Sequence, residues 1–301
     1  MAAWLKNREV PAPRLAMLWL CLGASLVSFS PILVKLAPIG PSEIAFYRLF
    51  IGGSGLLIAC LFAGIRLPFR PGPFLLALAT GAFFALDLFC FHRSVVYIGA
   101  VSTILANLQV FFLAIAGMIF LGERPGQKLA IAIPLAMIGL VMLVGPSWPA
   151  SKTGYKLGVF LGILTALFYT GYIFFLRQAQ ARLDRLNPAA HLAVVSLIGA
   201  AMMAAVVLAE GGSFHVPNGQ TWLILLGYGL GCHALGWFFI SLALPHLEAS
   251  RAGLNLLLQP TLSFVWDVIL LHRPTPLIDW AGAALLIGSI YLGGISYKKS
   301  L

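Results

Sequence analysis

The chain has 301 residues, of which 60% are hydrophobic and only 9% are charged, whereas an average soluble domain carries about 25% charged residues. Only lipid can cover this much apolar surface, so a soluble fold is excluded. The net charge is +10, but the chain has no soluble domain that could display a basic patch. Nucleic acid is therefore excluded as a partner. Such an excess of Lys and Arg is typical of the cytoplasmic loops of membrane proteins.

Ten apolar segments follow one another along the chain, joined by short turns that are rich in Pro and Gly. A membrane helix needs about 20 predominantly apolar residues, and each segment is close to that length. The predicted spans are 15–36, 42–64, 74–97, 100–121, 128–145, 155–177, 189–209, 221–244, 249–271 and 278–297. We therefore predict an all-α integral membrane protein with ten transmembrane helices, surrounded by the lipid bilayer.

The second five spans repeat the first five. Adding 149 to a residue number carries Ala100 to Ala249 and Arg124-Pro125 to Arg273-Pro274. A unit with an odd number of crossings leaves its copy starting on the opposite side of the bilayer, which is the inverted-topology repeat of secondary transporters. The predicted parts are an N-terminal segment 1–14, a first five-helix repeat 15–145, a connecting loop 146–154, a second five-helix repeat 155–297 and a basic tail 298–301.

Positive charge predicts the orientation of these spans. If the N-terminus is cytoplasmic, thirteen Lys and Arg residues of the turns and termini fall on that side and five fall on the other. Because cytoplasmic loops carry the excess of positive charge, we predict that both termini lie in the cytoplasm. The connecting loop 146–154 then faces outward.

Three short motifs resemble those of a known family. The segment Phe120-Leu121-Gly122-Glu123-Arg124 closes the fourth span, Phe46-Tyr47-Arg48 opens the second, and Gln259-Pro260 lies in the ninth. Together with ten spans in two halves, they resemble the EamA-type proteins of the drug/metabolite transporter superfamily over essentially the whole chain. The second half departs from the family pattern, because His272-Arg273 stands where the family often has Glu-Arg.

This resemblance implies a transporter of the bacterial inner membrane that exports amino acids or related metabolites. Within the family, the chain is most similar to bacterial aromatic amino acid exporters. A small-molecule substrate is therefore the expected partner, and the protein is expected to act as a monomer or a homodimer.

Polar side chains inside the spans are the candidates for substrate binding, because an ionisable residue at the centre of a span costs about 2.5–3.5 kcal/mol to insert. In the ninth span they recur at every fourth position, at Arg251, Asn255, Gln259, Ser263 and Asp267. Residues four apart share one side of a helix. We interpret this face as a cavity wall, with Asn255 and Gln259 as substrate-binding residues. The alternative is interhelical hydrogen bonding that only holds the bundle together.

Two further faces combine aromatic and polar side chains at the same spacing. The eighth span carries His233, Trp237 and Ser241, and the sixth carries Tyr169 and Tyr172. A large ring beside a hydrogen-bonding group suits recognition of an amphipathic small molecule. We place His233, Trp237, Tyr169 and Tyr172 in the cavity; ordinary helix packing is the alternative for each face.

Two charged residues have open roles. Asp87, in the middle of the third span, could bind a substrate ammonium group or relay a proton, or it could pair with Asn107 or His92. We include Asp87 and Asn107 in the predicted cavity. Arg48 could orient a carboxylate or form a structural ion pair with Glu43.

Two prolines interrupt predicted spans, Pro31 in the first and Pro260 in the ninth. Proline removes a backbone donor and kinks a helix, so both positions are candidate hinges for gating.

No pattern of catalytic or metal-binding residues is visible. The four cysteines stand singly and the six histidines have no HxxH spacing, so we predict no catalytic residue, no metal, no cofactor and no enzyme activity. We predict a secondary transporter that exports small metabolites by alternating access, with aromatic or other amphipathic amino acids as the expected substrates. The alternatives are a multidrug or metabolite carrier of broad specificity and, less favoured, a passive channel.

Overall fold

A computed structural model of the chain describes residues 13–99, 101–144, 154–182, 187–272 and 274–294. Within these ranges every regular element is helical. The α-helices are α1 Pro13–Val27, α2 Ser30–Leu36, α3 Pro41–Phe62, α4 Pro71–Ile98, α5 Val101–Ala106, α6 Gln109–Leu121, α7 Gln127–Val144, α8 Tyr155–Arg182, α9 Pro188–Ala209, α10 Gly219–Leu226, α11 Gly236–Ala243, α12 Ala249–Leu256, α13 Leu258–Leu271 and α14 Leu277–Gly294. A π-helix, Gly227–Leu235, joins α10 to α11, and a 3₁₀-helix, Leu244–His246, follows α11.

Eight helical stretches are long and apolar enough to cross a membrane. They are Leu15–Leu36, Pro41–Phe62, Pro71–Ile98, Val101–Leu121, Tyr155–Ala181, Pro188–Ala209, Gly219–His246 and Ala249–Leu271. Two shorter apolar helices, Gln127–Leu143 and Leu277–Gly293, follow the fourth and eighth of these stretches. The predicted all-helical membrane protein is therefore confirmed. The count of ten crossings and the inverted relation of the halves stay predictions.

The three non-helical parts predicted from the sequence fall almost wholly outside the described residues. These are the N-terminal segment 1–14, the connecting loop 146–154 and the tail 298–301. Three predicted single spans are divided in the structure: α1 ends at Val27 before α2 begins, α5 ends at Ala106 before α6 begins, and α12 ends at Leu256 before α13 begins.

Local chemistry explains several helix ends. The helices α3 and α9 begin with Pro41 and Pro188, at the position where the missing N–H of proline would have no intrahelical partner. The Asn187 side chain caps α9 by accepting hydrogen bonds from the backbone N–H groups of Ala189 and Ala190. Such a cap satisfies donors that the first turn leaves free.

The helices α6 and α13 end in the same way with different residues. Gly122 follows α6 in the left-handed conformation, with φ 66°, and its N–H donates to the Gly117 oxygen. His272 follows α13 with φ 50°, and its N–H donates to the Asp267 oxygen. The matching ends are 150 residues apart rather than the predicted 149. Glycine adopts this conformation freely, whereas a histidine there is strained.

The helices form two compact units. The first contains residues up to Ala85 and from Gly171 to Leu247, and the second contains Leu86–Thr170 and the residues from Glu248 onward. In the first unit, α3 packs against both α9 and the π-helix, and α1 packs against α11.

In the second unit, α7 packs against α14 and α6 packs against α12. The two short helices α7 and α14 meet at paired glycines. A Cβ atom on Gly139 would lie 2.8 Å from the Gly282 oxygen, and one on Gly282 would lie 2.7 Å from the Gly139 oxygen. These distances leave no room for a side chain, so the paired glycines allow the two backbones to approach closely.

Candidate functional site

Four rings from separate helices of the first unit form one buried cluster, which we call the aromatic cluster (Phe84, Tyr172, His233 and Trp237). Phe84 stacks on Tyr172 with ring centres 4.2 Å apart and on His233 with ring centres 5.7 Å apart. Trp237 meets Tyr172 and Phe84 edge-on, at 4.7 and 5.7 Å. Rings at these distances and angles attract one another beyond simple burial of area.

The guanidinium of Arg48 lies at the edge of the aromatic cluster. Its carbon stands 5.5 Å from the centre of the Phe84 ring and 5.1 Å from that of Tyr228. Nη1 donates a hydrogen bond of 3.1 Å to the Tyr228 hydroxyl, whereas Nε is buried without a hydrogen-bond partner. Arg48 is only 7% exposed. A cation held over two rings is partly stabilised by their π faces.

The structural ion pair considered for Arg48 and Glu43 is absent from the described residues. The Glu43 carboxylate instead lies against Gly40 and Gly212, at the start of α3. Five residues turn an α-helix by about 500°, so Glu43 and Arg48 point to different sides. The first turn of a helix also favours an acidic side chain, because the free N–H groups there carry partial positive charge.

The hydrogen bonds of His233 define which ring nitrogen is free. Its Nε2 lies 2.8 Å from the Ser196 hydroxyl oxygen, and that hydroxyl also lies 2.6 Å from the Leu192 carbonyl oxygen. A carbonyl can only accept, so the single hydroxyl proton goes to Leu192 and the hydroxyl oxygen accepts from Nε2–H. In the neutral imidazole, this leaves Nδ1 as a buried acceptor without a partner in the described structure.

The π-helix explains how one element supplies both Tyr228 and His233. In an α-helix, residues five apart point about 140° away from each other. A π-helix has i→i+5 hydrogen bonds, so residues five apart share a face. Glycines let α3 approach this face, because a Cβ on Gly52 would lie 2.7 Å from the Gly229 oxygen. The irregular helix therefore directs Tyr228 to Arg48 and His233 to Ser196.

The predicted cavity residues divide between the two units. Tyr172, His233 and Trp237 belong to the first unit, and all three contact Phe84. The other five belong to the second unit: Asp87, Asn107, Tyr169, Asn255 and Gln259.

Asn107 and Asn255 make equivalent local hydrogen bonds beside two helix breaks. The Nδ2 of Asn107 donates to the Thr103 oxygen at 2.7 Å, just before α6 begins, and the Nδ2 of Asn255 donates to the Arg251 oxygen at 2.8 Å, just before α13 begins. The predicted continuous polar face of the ninth span is therefore divided by Leu257 between α12 and α13. Each Asn satisfies a carbonyl four residues back, as polar side chains inside helices often do.

A glutamine follows each of these breaks. Gln109 opens α6 and Gln259 lies at the start of α13. Both amide atoms of Gln109 and the Nε2 of Gln259 are buried without a hydrogen-bond partner in the described structure. The sequence prediction named Gln259 and missed Gln109.

Asp87 and Tyr169 are buried and half-buried, respectively, within the second unit. Arg93 lies six residues beyond Asp87, and its guanidinium stands 4.1 Å from the centre of the Phe89 ring. Substrate binding by Asp87 and Tyr169 stays a prediction.

The two candidate hinge prolines both stand just after a break. Pro31 is in the first turn of α2, and Pro260 is in the first turn of α13. Proline fits the first turn of a helix without losing a hydrogen bond. A gating role for either residue stays a prediction.

Sequence reasoning missed Phe84, Ser196 and Tyr228. Phe84 is one of 21 phenylalanines, and Ser196 is a single hydroxyl in an apolar helix, so neither carries a distinguishing signal. Tyr228 lies between two glycines inside a span, and that glycine-rich interruption was the available signal.

The glutamate of the fourth-span motif has a clear structural partner. The Glu123 carboxylate accepts a hydrogen bond of 2.8 Å from the backbone N–H of Ala249, the first residue of α12. A carboxylate there satisfies a free donor and interacts favourably with the helix dipole. The motif therefore caps a helix from the other half of the sequence.

Several known proteins are similar to this chain. The pseudopaline exporter CntI of Pseudomonas aeruginosa is 26% identical over 254 residues, which cover 83% of this chain and 85% of that protein. A protein from Archaeoglobus fulgidus, named only as an uncharacterised transporter, is 25% identical over 282 residues. These residues cover 91% of this chain and 97% of that protein. A solved crystal structure shares the fold, with a TM-score of 0.80 at 18% identity over 92% of this chain and 96% of the other.

The family itself is shown by a match along most of the sequence. The model of the EamA-like transporter family matches twice, over residues 14–145 and 156–294. The names of the relatives above do not specify an aromatic amino acid. With its membrane-length helices, the chain is a multi-pass membrane transporter rather than an enzyme, and it belongs to the EamA-like transporter family of the drug/metabolite transporter superfamily.

Proposed function

We propose that this protein is a secondary transporter that exports a small amphipathic metabolite across the bacterial inner membrane, and that the aromatic cluster forms part of its substrate site. The observation that carries the proposal is the buried aromatic cluster with the Arg48 guanidinium at its edge. Structural packing alone needs no charged group there, whereas recognition of an amphipathic molecule needs flat apolar walls beside polar groups.

The depth of the cluster supports this role. Trp237 belongs to the apolar stretch Gly219–His246 and lies about 7 Å along the helix from its midpoint, at a rise of about 1.5 Å per residue. An interfacial anchor would stand near an end, at the level of the lipid head groups. Substrate sites of carriers built from repeats lie near the bilayer midplane.

Aromatic amino acids are the first substrates to test, because an aromatic side chain can stack on the aromatic cluster. The relative that exports pseudopaline extends the range to other small metabolites. Substrate binding by Asp87, Asn107, Tyr169, Asn255 and Gln259 stays part of this proposal. A broad-specificity carrier is the second candidate function, favoured by the predominance of rings over directional hydrogen bonds in the aromatic cluster.

The experiment that tests this function is transport into proteoliposomes that contain the purified protein. The panel contains radiolabelled aromatic, aliphatic and acidic amino acids and the lipophilic cation tetraphenylphosphonium. We expect saturable transport of at least one aromatic amino acid. Saturable transport of the cation as well would favour broad specificity, and no saturable transport of any compound would refute a substrate of this kind.

The proposal includes an inverted arrangement of the repeats 15–145 and 155–297, with both termini in the cytoplasm. The double family match over 14–145 and 156–294 supports the duplication, and the bias of Lys and Arg supports the orientation. A cysteine introduced at Ser151 should react with an impermeant thiol reagent in intact cells, on a background without accessible native cysteines. Labelling at Ser300 with protection at Ser151 would reverse the orientation.

A further inference from the structure

We infer that the substrate of the proposed site carries a carboxylate, and that this carboxylate binds the Nε side of the Arg48 guanidinium. The inference rests on the proposed function and adds a substrate class to it: small carboxylates, including zwitterions, are accepted, and cations without a carboxylate are rejected. Arg48 is the residue that determines this specificity.

The first argument is the unbalanced charge. Arg48 lies in the apolar stretch Pro41–Phe62, about 5 Å along the helix from its midpoint at about 1.5 Å per residue. No carboxylate pairs with it among the described residues; its neighbours are the hydroxyl of Tyr228 and the rings of Phe84 and Tyr228. Charged residues buried inside membrane proteins usually pair with an opposite charge or serve a ligand. A neutral hydroxyl does not balance a cation, so the charge of Arg48 favours an anionic group on the substrate.

The second argument is the free hydrogen-bond donor. Nη1 is used by Tyr228, but the Nε donor is buried without a partner. Arginine binds carboxylates through two parallel N–H···O bonds, and the edge that contains Nε is one of its binding edges. A bound carboxylate would therefore satisfy the unused donor and balance the charge in one step.

The third argument is the pre-organised position of the guanidinium. The contacts with Phe84 and Tyr228 hold it against the aromatic cluster, so an anion bound there lies beside the rings that would pack on the apolar part of the same molecule. Little side-chain freedom remains to be lost on binding. Gly52, one turn beyond Arg48 on α3, is in contact with His233, so the free Nδ1 acceptor of His233 belongs to the same region. A cationic ligand without a carboxylate would meet the positive charge of Arg48 at close range.

The test compares an amino acid with its amide, in which a neutral amide group replaces the carboxylate. Phenylalanine and phenylalaninamide compete, in proteoliposomes, against whichever labelled amino acid of the transport panel is carried best; saturable transport of tetraphenylphosphonium in that panel would by itself overturn the inference. We expect wild-type transport to be inhibited at least about tenfold more strongly by the acid, because only the acid can pair with Arg48. In Arg48→Gln this preference should fall to about one. Arg70→Gln, which removes an exposed arginine and the same formal charge, should keep the wild-type preference.

Each outcome decides the inference. Equal inhibition by acid and amide in the wild type overturns it while leaving the proposed transport function intact, and so does an unchanged acid preference in Arg48→Gln. If Arg48→Gln yields no folded protein, Arg48→Lys replaces it. The ammonium group of lysine keeps the positive charge but cannot form two parallel hydrogen bonds to a carboxylate. The preference for the acid over the amide should therefore fall several-fold without vanishing. An unchanged preference in Arg48→Lys overturns the fork geometry. If the transport panel shows no saturable transport at all, the proposed function and this inference fail together.

Discussion

Two pairs of polar side chains inside the apolar helices, one pair from each unit, make hydrogen bonds of different kinds. In the first unit they join helices that are far apart in sequence, as when Arg48 donates to Tyr228 and Ser196 meets His233. In the second unit, Asn107 and Asn255 donate to carbonyl groups of their own chain segment, four residues back. Polar residues in a membrane helix thus serve either a shared site or a local break, and their spacing along one helix does not distinguish the two.

The comparison has a physical cause. A buried polar group without a hydrogen-bond partner is costly, because lipid offers none. Beside a helix break, an Asn side chain can donate to a backbone carbonyl of the preceding turn, as Asn107 does to the Thr103 oxygen, which also accepts the backbone N–H of Asn107. Where the helices are packed through glycines, as at Gly52 and Gly229, side chains from different helices come within reach of each other.

The largest expected effect is on transport by Trp237→Ala. Loss of this ring removes the edge contacts with Tyr172 and Phe84, so we expect transport to fall at least about tenfold. Trp222→Ala is the matched control in the same apolar stretch, since Trp222 is 44% exposed, and it should transport at close to the wild-type rate. Both rates are measured in proteoliposomes and normalised to the amount of folded protein.

Trp237→Phe separates binding from packing in the same residue. Phenylalanine keeps an apolar ring, so the melting temperature in detergent should stay closer to wild type than in the Ala variant. If the Phe and Ala variants lose folded protein and transport in parallel, Trp237 is a packing residue and the aromatic cluster loses its proposed role.

The next effect concerns the hydrogen bond between helices in the first unit. Ser196→Ala leaves the His233 Nε2–H without its acceptor, so we expect a loss of about 1–3 kcal/mol in the free energy of unfolding. The matched control is Ser241→Ala, because the Ser241 hydroxyl is buried without a hydrogen-bond partner in the described structure. Removing that hydroxyl should leave stability unchanged or slightly higher. Equal losses in the two variants would show that the Ser196–His233 bond contributes nothing specific.

The smallest effect is expected at the helix breaks of the second unit. Asn107→Ala and Asn255→Ala each remove one hydrogen bond within a chain segment, so each should lower the free energy of unfolding by about 0.5–1.5 kcal/mol. The two losses should be similar, because the two bonds have similar geometry. If one variant loses several times more free energy of unfolding than the other, the two asparagines are not equivalent.

Transport by the same variants sharpens the comparison. If Asn255 also lines the substrate cavity, as its place in the ninth span predicts, Asn255→Ala should raise the KM for substrate much more than its small loss of stability explains. An unchanged KM would leave the bond to the Arg251 oxygen as its whole role.

Much of the helical framework could be predicted from the sequence. Every predicted span coincides with one or more helices, because the apolar segments must satisfy their backbone groups internally in lipid. Prolines at the starts of α3 and α9 and Gly122 at the end of α6 mark helix ends through local chemistry alone. The left-handed His272 was not predictable, because glycine is the residue that usually ends a helix in this conformation.

The site was predicted in part. His233, Trp237 and Tyr172 were found because aromatic and polar residues in apolar helices are conspicuous in composition. Phe84 and Ser196 were missed, since each is ordinary in its own helix and acquires a role only through residues distant in sequence.

The sequence by itself determined that this protein is a helical membrane protein and a member of a transporter family, because apolar length and short turn motifs are local properties of the chain. Only the tertiary structure decided which polar residues act together. Tyr228 and His233 face the same way only because a π-helix replaces an α-helix between them, and Arg48 lies against Tyr228 only because α3 and the π-helix approach through glycines. Such relations depend on distances between helices, which no single stretch of sequence contains.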